Sequence, residues 1–287
     1  MNILLISNKG KLNNAVELKI KENNNVFLYL INKNLNFDEL IIGFKKIFFN
    51  NKLDLIIFIS GETRDENKMM LLNYLFPKEI LRISQSNFIP LIYLSSLAVF
   101  GIPTNKKVTK FSQKNSIDLY STTKNLFDSY ARNHCVNASI LSILPGSIIN
   151  FNSNHDIINK LIIFSKKSPQ NIFLRKFNSM GNISCIYVND LAKSILSEVN
   201  NITDRNKDVN FKSKICTVNL SISQIQKKIY SKKYIIMIPN INFLNSKFFS
   251  KFFKKNILKK LYLFFNNIEY VSDYDFNQKS YLNRVEY

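Results

Sequence analysis

Short apolar runs alternate with longer amphipathic segments along the first 150 residues of the chain. Most runs are nearly continuous in apolar residues, which is typical of strands covered on both faces by other elements. The predicted strands are Ile3–Ser7, Val26–Ile31, Asp54–Ser60, Phe88–Ser95 and Ala138–Leu144. The predicted helices are Lys11–Glu22, Phe37–Phe49, Asn67–Ser84 (kinked or broken at Pro77) and Ser121–His134. This alternation predicts a doubly wound α/β (Rossmann) fold, a parallel sheet with helices on both faces.

The pattern is less regular after residue 150. We predict the strands Cys185–Val188 and Cys216–Leu220, the helices Asp156–Lys166, Asp190–Val199 and Ser223–Tyr230, and an exposed loop at Asn200–Lys214. The expected organisation is a Rossmann domain at 1–150 and a smaller C-terminal α/β lobe at 151–287, with the chain returning to the sheet near 182–199.

Composition excludes several classes of protein. Hydrophobic residues make up 46% of the 287 positions and charged residues 21%, which describes a globular protein. The longest apolar runs reach about six residues, against ~20 for a membrane-spanning helix. The first residues lack the basic start of a signal peptide, so we expect a cytoplasmic protein. Three scattered cysteines and two histidines predict neither a disulfide framework nor a metal site.

The formal net charge of +20 raises the question of nucleic-acid binding. Lys, Asn, Ile and Phe are abundant throughout the chain, however, and only 6 glycines are present, which indicates a compositional bias. We therefore predict no nucleic-acid partner. The segment Asn242–Phe265 interleaves Phe and Leu with Lys, as in a basic amphipathic helix. We interpret it as a face packed on the core, with peripheral membrane association as the alternative.

Two turns of the expected sheet carry residues that suit a dinucleotide. The first strand leads into Ser7, Gly10 and Asn13, where a phosphate-binding turn would lie, although a plain turn explains them equally well. The second strand ends at Asn32 and Lys33 with no acidic residue for a ribose hydroxyl. Lys33 slightly favours NADP, whose 2′-phosphate it would bind; a solvated lysine on a turn is the alternative.

Catalytic chemistry is indicated in the middle of the chain. Tyr120 and Lys124 lie one helical turn apart, so that the ammonium favours the phenolate form of the tyrosine. Ser96 follows the fourth strand and offers a hydroxyl to a substrate oxygen. A tyrosine tuned in this way is suited to general acid/base catalysis.

These residues, with several segments in the same order, resemble the extended short-chain dehydrogenases/reductases, in the epimerase/dehydratase branch that acts on nucleotide sugars. The similar segments are Asp54–Gly61, Ser95–Gly101 (S-S-x-x-V-Y-G), Leu144–Ser147 (R-P, with Leu144 for arginine) and Cys185–Ala192 (V-x-D-x-A). The resemblance covers most of the chain from Met1 to about Val199, and weakly the remainder. Ser7 and Asn13 depart from it, because the family has glycines there and a side chain would crowd a pyrophosphate.

The resemblance implies a role for each matching residue. Tyr120 would be the general acid/base, Lys124 would bind the nicotinamide ribose, and Ser96 would orient the substrate. The predicted cofactor contacts are Ser7, Gly10, Asn13, Asn32, Lys33, Ser60, Gly61, Asn73, Tyr120, Lys124 and Pro145. For Asn73, an ordinary polar residue on a helix is an alternative to a cofactor contact.

We therefore predict NAD(P)-dependent reduction or epimerisation of a nucleotide-activated sugar, in surface-polysaccharide synthesis and as a homodimer. A sugar 4,6-dehydratase is disfavoured, because Leu97 and Ala98 stand where such enzymes carry an Asp-Glu pair. The small lobe would bind the substrate. The rival interpretation is a non-catalytic module with a degenerate cofactor site.

Overall fold

The computed structural model describes residues 1–150, 177–178, 181–203, 209–225, 236–237 and 267–283. Its strands are β1 (Asn2–Ser7), β2 (Asn25–Leu30), β3 (Leu55–Phe58), β4 (Leu91–Leu94), β5 (Lys107–Val108), β6 (Ile140–Pro145), β7 (Ser147–Ile149), β8 (Phe177–Asn178), β9 (Asn182–Tyr187), β10 (Phe211–Cys216), β11 (Val218–Ser221), β12 (Ile236–Met237) and β13 (Glu269–Tyr270). Its helices are α1 (Lys11–Lys21), α2 (Phe37–Phe49), α3 (Glu66–Met70), α4 (Phe76–Ser86), α5 (Leu119–Asn133), α6 (Val188–Thr203) and α7 (Gln278–Asn283), with a π turn at Leu71–Leu75 and a 3₁₀ turn at Leu97–Phe100.

Six strands form the central sheet in the order β10-β6-β4-β3-β1-β2. The pairs β1–β2, β1–β3, β3–β4 and β4–β6 are parallel. The chain builds outward from β1 to β2 and then crosses to β3 on the other side, which is the topology of a doubly wound sheet. The predicted Rossmann fold is confirmed.

Helices cover both faces of this sheet, because successive strand residues point to opposite sides. Leu4, Ile6, Phe58 and Tyr93 join one buried cluster with apolar residues of α2, α4 and α5. The alternate residues of β1, Ile3 and Leu5, are also fully buried. Helices α1 and α6 contact each other and form the second helical layer. Burial of both faces explains why the strands are continuous apolar runs.

The predicted irregularity near Pro77 is present, and its physical cause is visible. Pro77 is the second residue of α4 and has no N–H to donate to the carbonyl of Asn73, four residues earlier. The chain forms its π turn there, and the Tyr93 hydroxyl donates to the Asn73 carbonyl oxygen at 3.3 Å. A tertiary hydrogen bond to this carbonyl thus accompanies the π turn.

One prediction for the second half is wrong in part. The stretch Asn200–Lys214 is not a continuous exposed loop, because α6 extends to Thr203 and β10 begins at Phe211. The strand was missed because β10 lies at an edge of the sheet and has a mixed polar sequence, in contrast to the apolar runs of the inner strands. Between 182 and 199 the chain forms β9, in a separate three-stranded sheet, and most of α6.

The chain divides into two compact units that are discontinuous in sequence. The first comprises Met1–Val99, Leu119–Leu144 and Val188–Lys214, and the second the remaining residues. The second contains the sheets β11-β9-β7, β12-β8 and β13-β5. Within it, Asp273 accepts a hydrogen bond from the Ile215 amide at 2.8 Å and pairs with Lys110. The division at residue 150 and the substrate-binding role of 151–287 stay predictions.

Some predicted segments lie outside the described residues. They are Asp156–Lys166, Asn242–Phe265 and most of Ser223–Tyr230. Of the last segment, residues 223–225 are described and helical. Among the helices that are described, none combines the length and the apolar character needed to cross a membrane.

Candidate active site

The turn between β1 and α1 leaves open space where a phosphate would approach. Gly10 precedes the first residue of α1 in an extended conformation, and no side chain caps this helix end. A Cβ atom built on Gly10 would have no other atom within 4 Å. Free N–H groups at a helix N-terminus beside such a space suit an anion. The turn therefore fits the pyrophosphate of a dinucleotide.

Ser7 and Asn13 do not project into this space. Their exposed fractions are 1% and 4%, and the Ser7 hydroxyl donates a hydrogen bond to the Asn13 side-chain oxygen. The two residues that depart from the glycine pattern are thus bonded to each other beneath the turn. The crowding of a pyrophosphate by these two side chains stays a prediction.

Asn8 was not among the predicted residues, and it joins the ends of two strands. Its side-chain oxygen accepts a hydrogen bond from the Ser60 hydroxyl at 2.8 Å, and its amide group donates to the Gly61 carbonyl at 3.0 Å. The predicted contacts Ser60 and Gly61, which follow β3, are therefore held beside the end of β1. A lone asparagine after the first strand carries little signal in the sequence.

Lys124 is buried at the ends of β3 and β4. Its Nζ atom donates to the Leu94 carbonyl at 2.9 Å and to the Ser60 carbonyl at 3.2 Å, and it lies 4.6 Å from the centre of the Tyr93 ring. A Cβ atom on Gly61 would approach Nζ to 3.1 Å, so the glycine makes room for the ammonium. Burial lowers the pKa of Lys124 to about 7, although the charge of Asp128 acts in the opposite direction.

Tyr120 lies on the same helix as this lysine, and Ser96 follows β4, the strand whose last residue, Leu94, accepts the lysine's hydrogen bond. Tyr120 is half-buried in the first turn of α5, one turn before Lys124, as the spacing predicts. Its charge contributes, after burial and Asp128, to raising the pKa of Tyr93 well above the usual value. Ser96 is the second residue after β4, and its Oγ atom accepts the Ala98 amide at 3.1 Å. All three predicted catalytic residues belong to the first unit.

Asp128 is a buried carboxylate that sequence reasoning missed. It lies one helical turn beyond Lys124 on α5 and accepts hydrogen bonds from the hydroxyls of Ser95 at 2.9 Å and Ser142 at 2.7 Å. Both serines are buried strand or strand-end residues. Its spacing of four from Lys124 was visible in the sequence, but spacing alone does not distinguish a buried carboxylate from a solvated one. The structure identifies it as the charge that favours protonated Lys124.

Asn73 is fully buried in the π turn and holds the loop after β3. Its side chain accepts the Glu62 amide at 2.7 Å and donates to the Glu62 carbonyl at 2.8 Å. The same amide group donates to the Thr123 hydroxyl on α5 at 3.1 Å. Asn73 thus connects this loop to the helix of Tyr120 and Lys124. Its direct contact with a cofactor stays a prediction.

Lys33, after β2, is paired with a carboxylate. Its Nζ atom lies 2.5 Å from an oxygen of Glu62, a buried residue that sequence reasoning also missed. Burial raises the pKa of Glu62, but the hydrogen bonds from Lys33 and from the amides of Arg64, Thr63 and Asp65 outweigh it and bring the pKa to about 2. The loop after β3 therefore supplies a carboxylate that pairs with the cation after β2.

The two remaining predicted contacts have ordinary local roles in the described structure. Asn32 is exposed, and its side chain accepts the Asn34 amide at 3.0 Å in a turn. Pro145 is the buried last residue of β6. Neither arrangement tests a contact with a cofactor.

No protein-family model matches the chain. Solved structures do match its fold. A dTDP-4-dehydrorhamnose reductase from Yersinia enterocolitica has a TM-score of 0.63 at 21% identity, over 83% of this chain and 84% of that one. The corresponding reductase from Bacillus anthracis, in complex with NADP, has a TM-score of 0.59 at 15% identity, over 83% of each chain. The UDP-Glc/GlcNAc 4-epimerase from Campylobacter jejuni has a TM-score of 0.62 at 13% identity, over 83% of this chain and 87% of that one. At these identities the likeness establishes the fold.

Proposed function

We propose that the chain is an NAD(P)-dependent reductase or epimerase of a nucleotide-activated sugar, of the extended short-chain dehydrogenase/reductase type, which serves surface-polysaccharide synthesis. The observation that carries the proposal is the fixed position of Lys124, whose ammonium is anchored on the carbonyls of Leu94 and Ser60 one turn after Tyr120. The matched reductases and the epimerase have this fold, which supports the same class of substrate.

Residues at the ends of β1 and β3 would hold the cofactor. The open space over Gly10 and the uncapped start of α1 would take the pyrophosphate, and Ser60 and Gly61 would lie beside it. A bound nicotinamide ring supplies or accepts the hydride exchanged with a sugar carbon. Lys124 would bind the ribose next to that ring.

Tyr120 would move the proton that accompanies this exchange. In reduction its hydroxyl donates to the sugar oxygen, and in oxidation its phenolate takes the proton from the sugar hydroxyl. A protonated Lys124 stabilises the phenolate, and Asp128 opposes the effect of burial on the lysine. Ser96 would orient the same oxygen. Leu97 and Ala98 carry no proton to transfer, which disfavours a 4,6-elimination.

Between the two nicotinamide cofactors, the proposal slightly favours NADP over NAD. Lys33 provides a cation after β2, where the adenosine ribose lies in this fold. The B. anthracis reductase structure, which holds NADP, is compatible with this preference. A homodimer and a membrane contact through 242–265 stay predictions.

Titration with NADH and NADPH, followed by nicotinamide fluorescence, tests the proposal. We expect saturable binding, and turnover of a nucleotide-linked keto sugar that falls about 10²–10⁴-fold in Tyr120→Phe while cofactor binding is retained. Tyr130→Phe, on the same helix, is the control and should keep full turnover. If neither cofactor binds, the enzyme proposal is wrong and the non-catalytic module replaces it.

A further inference from the structure

The ion pair between Lys33 and Glu62 spans the end of β1. Lys33 follows β2 and Glu62 follows β3, and these two strands lie on either side of β1 in the sheet. The Nζ–Oε2 distance is 2.5 Å. The contact therefore lies across the sheet edge where the adenosine half of a dinucleotide binds in a Rossmann fold.

The two partners differ in how firmly they are held. One oxygen of Glu62 accepts the amides of Thr63 and Arg64, each at 2.8 Å, and the backbone of Glu62 is bonded on both sides to Asn73. The Lys33 side chain, in contrast, is 40% exposed, and its only hydrogen bond within the described residues is the one to Glu62. The negative charge is thus fixed in place, while the ammonium is free to move by rotation about its side-chain bonds.

We propose that Glu62 is a specificity-determining residue that limits the binding of NADP by competing with its 2′-phosphate for Lys33. The inference rests on the proposed function, because it requires a dinucleotide at this edge. A 2′-phosphate gains the ammonium only by sharing it with a buried carboxylate, and the two anions repel each other. A ribose 2′-hydroxyl meets no such repulsion.

The ratio of the NADPH affinity to the NADH affinity, measured in two variants, tests the inference. We expect the ratio to rise in one variant and to fall in the other. Glu62→Gln keeps an oxygen for the amides of Thr63 and Arg64 but removes the charge that holds Lys33. We expect the NADPH/NADH affinity ratio to rise about tenfold, the factor expected for one charge-assisted hydrogen bond. Lys33→Met leaves Glu62 unopposed, and the ratio should fall about tenfold for the same reason.

Asp65→Asn is the matched control. It removes a carboxylate from the same loop, one that pairs with Lys68 and caps α3, and asparagine is an equally good cap. The ratio should stay within about twofold of the wild type, since exposed charges contribute little. Binding of adenosine 2′,5′-bisphosphate, compared with adenosine 5′-monophosphate, should show the same shifts without any contribution from the nicotinamide end.

The outcomes separate the two proposals. An unchanged ratio in Lys33→Met, a variant at a partly exposed position, overturns the role of the pair while both cofactors still bind. An unchanged ratio in a folded Glu62→Gln protein, checked by circular dichroism, overturns it as well. Absence of binding of either cofactor to the wild type overturns this inference together with the proposed function.

Discussion

The Lys124 ammonium donates a hydrogen bond to the carbonyl oxygen of Leu94, the last residue of β4, at 2.9 Å. This bond fixes α5 against the end of the strand that leads to Ser96. The hydroxyl of Tyr120 is carried by the same helix, so its position depends on a buried cation that is costly to keep charged.

Because the charge of Lys124 is costly to bury, the free energy of unfolding should depend on pH in a definite direction. The pKa of Lys124 is about 7 in the folded protein against 10.5 in an unfolded chain, so the unfolded state binds more protons between these values. The free energy of unfolding therefore contains a penalty that is complete below pH 7 and is relieved as the pH rises toward 10.5. Relative to Lys124→Met, the wild type should gain at most about 1.4 kcal/mol per pH unit in this window.

Urea unfolding of the wild type and of Lys124→Met, at several pH values between 7 and 10, measures the difference in their free energies of unfolding. Lys52→Met, at an exposed position, is the control and should show no such slope. A difference between wild type and Lys124→Met that stays constant with pH would mean that the lysine titrates normally in the folded protein.

Gly10→Val separates a binding role from a structural one. The backbone of Gly10 is extended, a conformation open to any residue, and a Cβ atom there meets nothing within 4 Å. Gly10 is the N-cap residue of α1, where valine is less favourable than glycine, so we expect a loss of only about 0.5–1 kcal/mol in the free energy of unfolding. The valine side chain would fill the space proposed for the pyrophosphate, so NADH and NADPH should bind at least tenfold more weakly, a loss of about 1.4 kcal/mol.

Fluorescence titration and thermal unfolding provide the two readouts for Gly10→Val. Gly10→Ala, with a smaller side chain, should give an intermediate loss of affinity. Binding at wild-type strength in the valine variant would indicate that the first turn is a plain turn.

Glu62 makes the protein sensitive to acid. Its pKa of about 2 lies below the usual 4.5, so its stabilising contribution is complete above pH 4.5 and is lost as the pH falls through 2. The stability advantage of the wild type over Glu62→Gln should shrink by roughly 2–3 kcal/mol from pH 5 to pH 2. Denaturant midpoints measured across this range test the expectation. Glu66→Gln, at an exposed neighbouring position, should show no comparable loss.

Asn73→Ala should loosen the loop after β3. The substitution removes the hydrogen bonds to the amide and carbonyl of Glu62 and to the Thr123 hydroxyl, all of them buried. We expect a loss of about 2–3 kcal/mol in the free energy of unfolding, from backbone groups left without partners. Asn67→Ala, at an exposed site on α3, is the control. If Asn73→Ala and Asn67→Ala both lowered the stability only slightly, Asn73 would not hold the loop after β3.

The sequence was sufficient for most of the sheet and for the helix that carries Tyr120 and Lys124, because both depend on local pattern; the catalytic role of these residues stays a prediction. Strands buried on both faces are apolar runs, and Tyr120 and Lys124 share a helix face at a fixed spacing. Strand β10 was missed because an edge strand has less apolar sequence than an inner one. Glu62 was missed for a different reason: its partner Lys33 is distant in sequence, and only the strand order brings the two ends together.

Asn8 and Asp128 illustrate the same limit. Each is a common polar residue whose importance comes from burial and from partners on other strands. Single residues of this kind have no periodicity, so no local pattern distinguishes them from solvated neighbours.

The bonded pair Ser7 and Asn13 has a consequence for how this turn changes through evolution. Glycine at position 7 alone would leave the Asn13 oxygen without its hydroxyl donor, and glycine at position 13 alone would leave the Ser7 hydroxyl buried without an acceptor. Each single step is therefore costly, while the double replacement removes both polar groups together. The two positions are epistatic, and the path between this turn and a glycine-rich one passes through less stable intermediates.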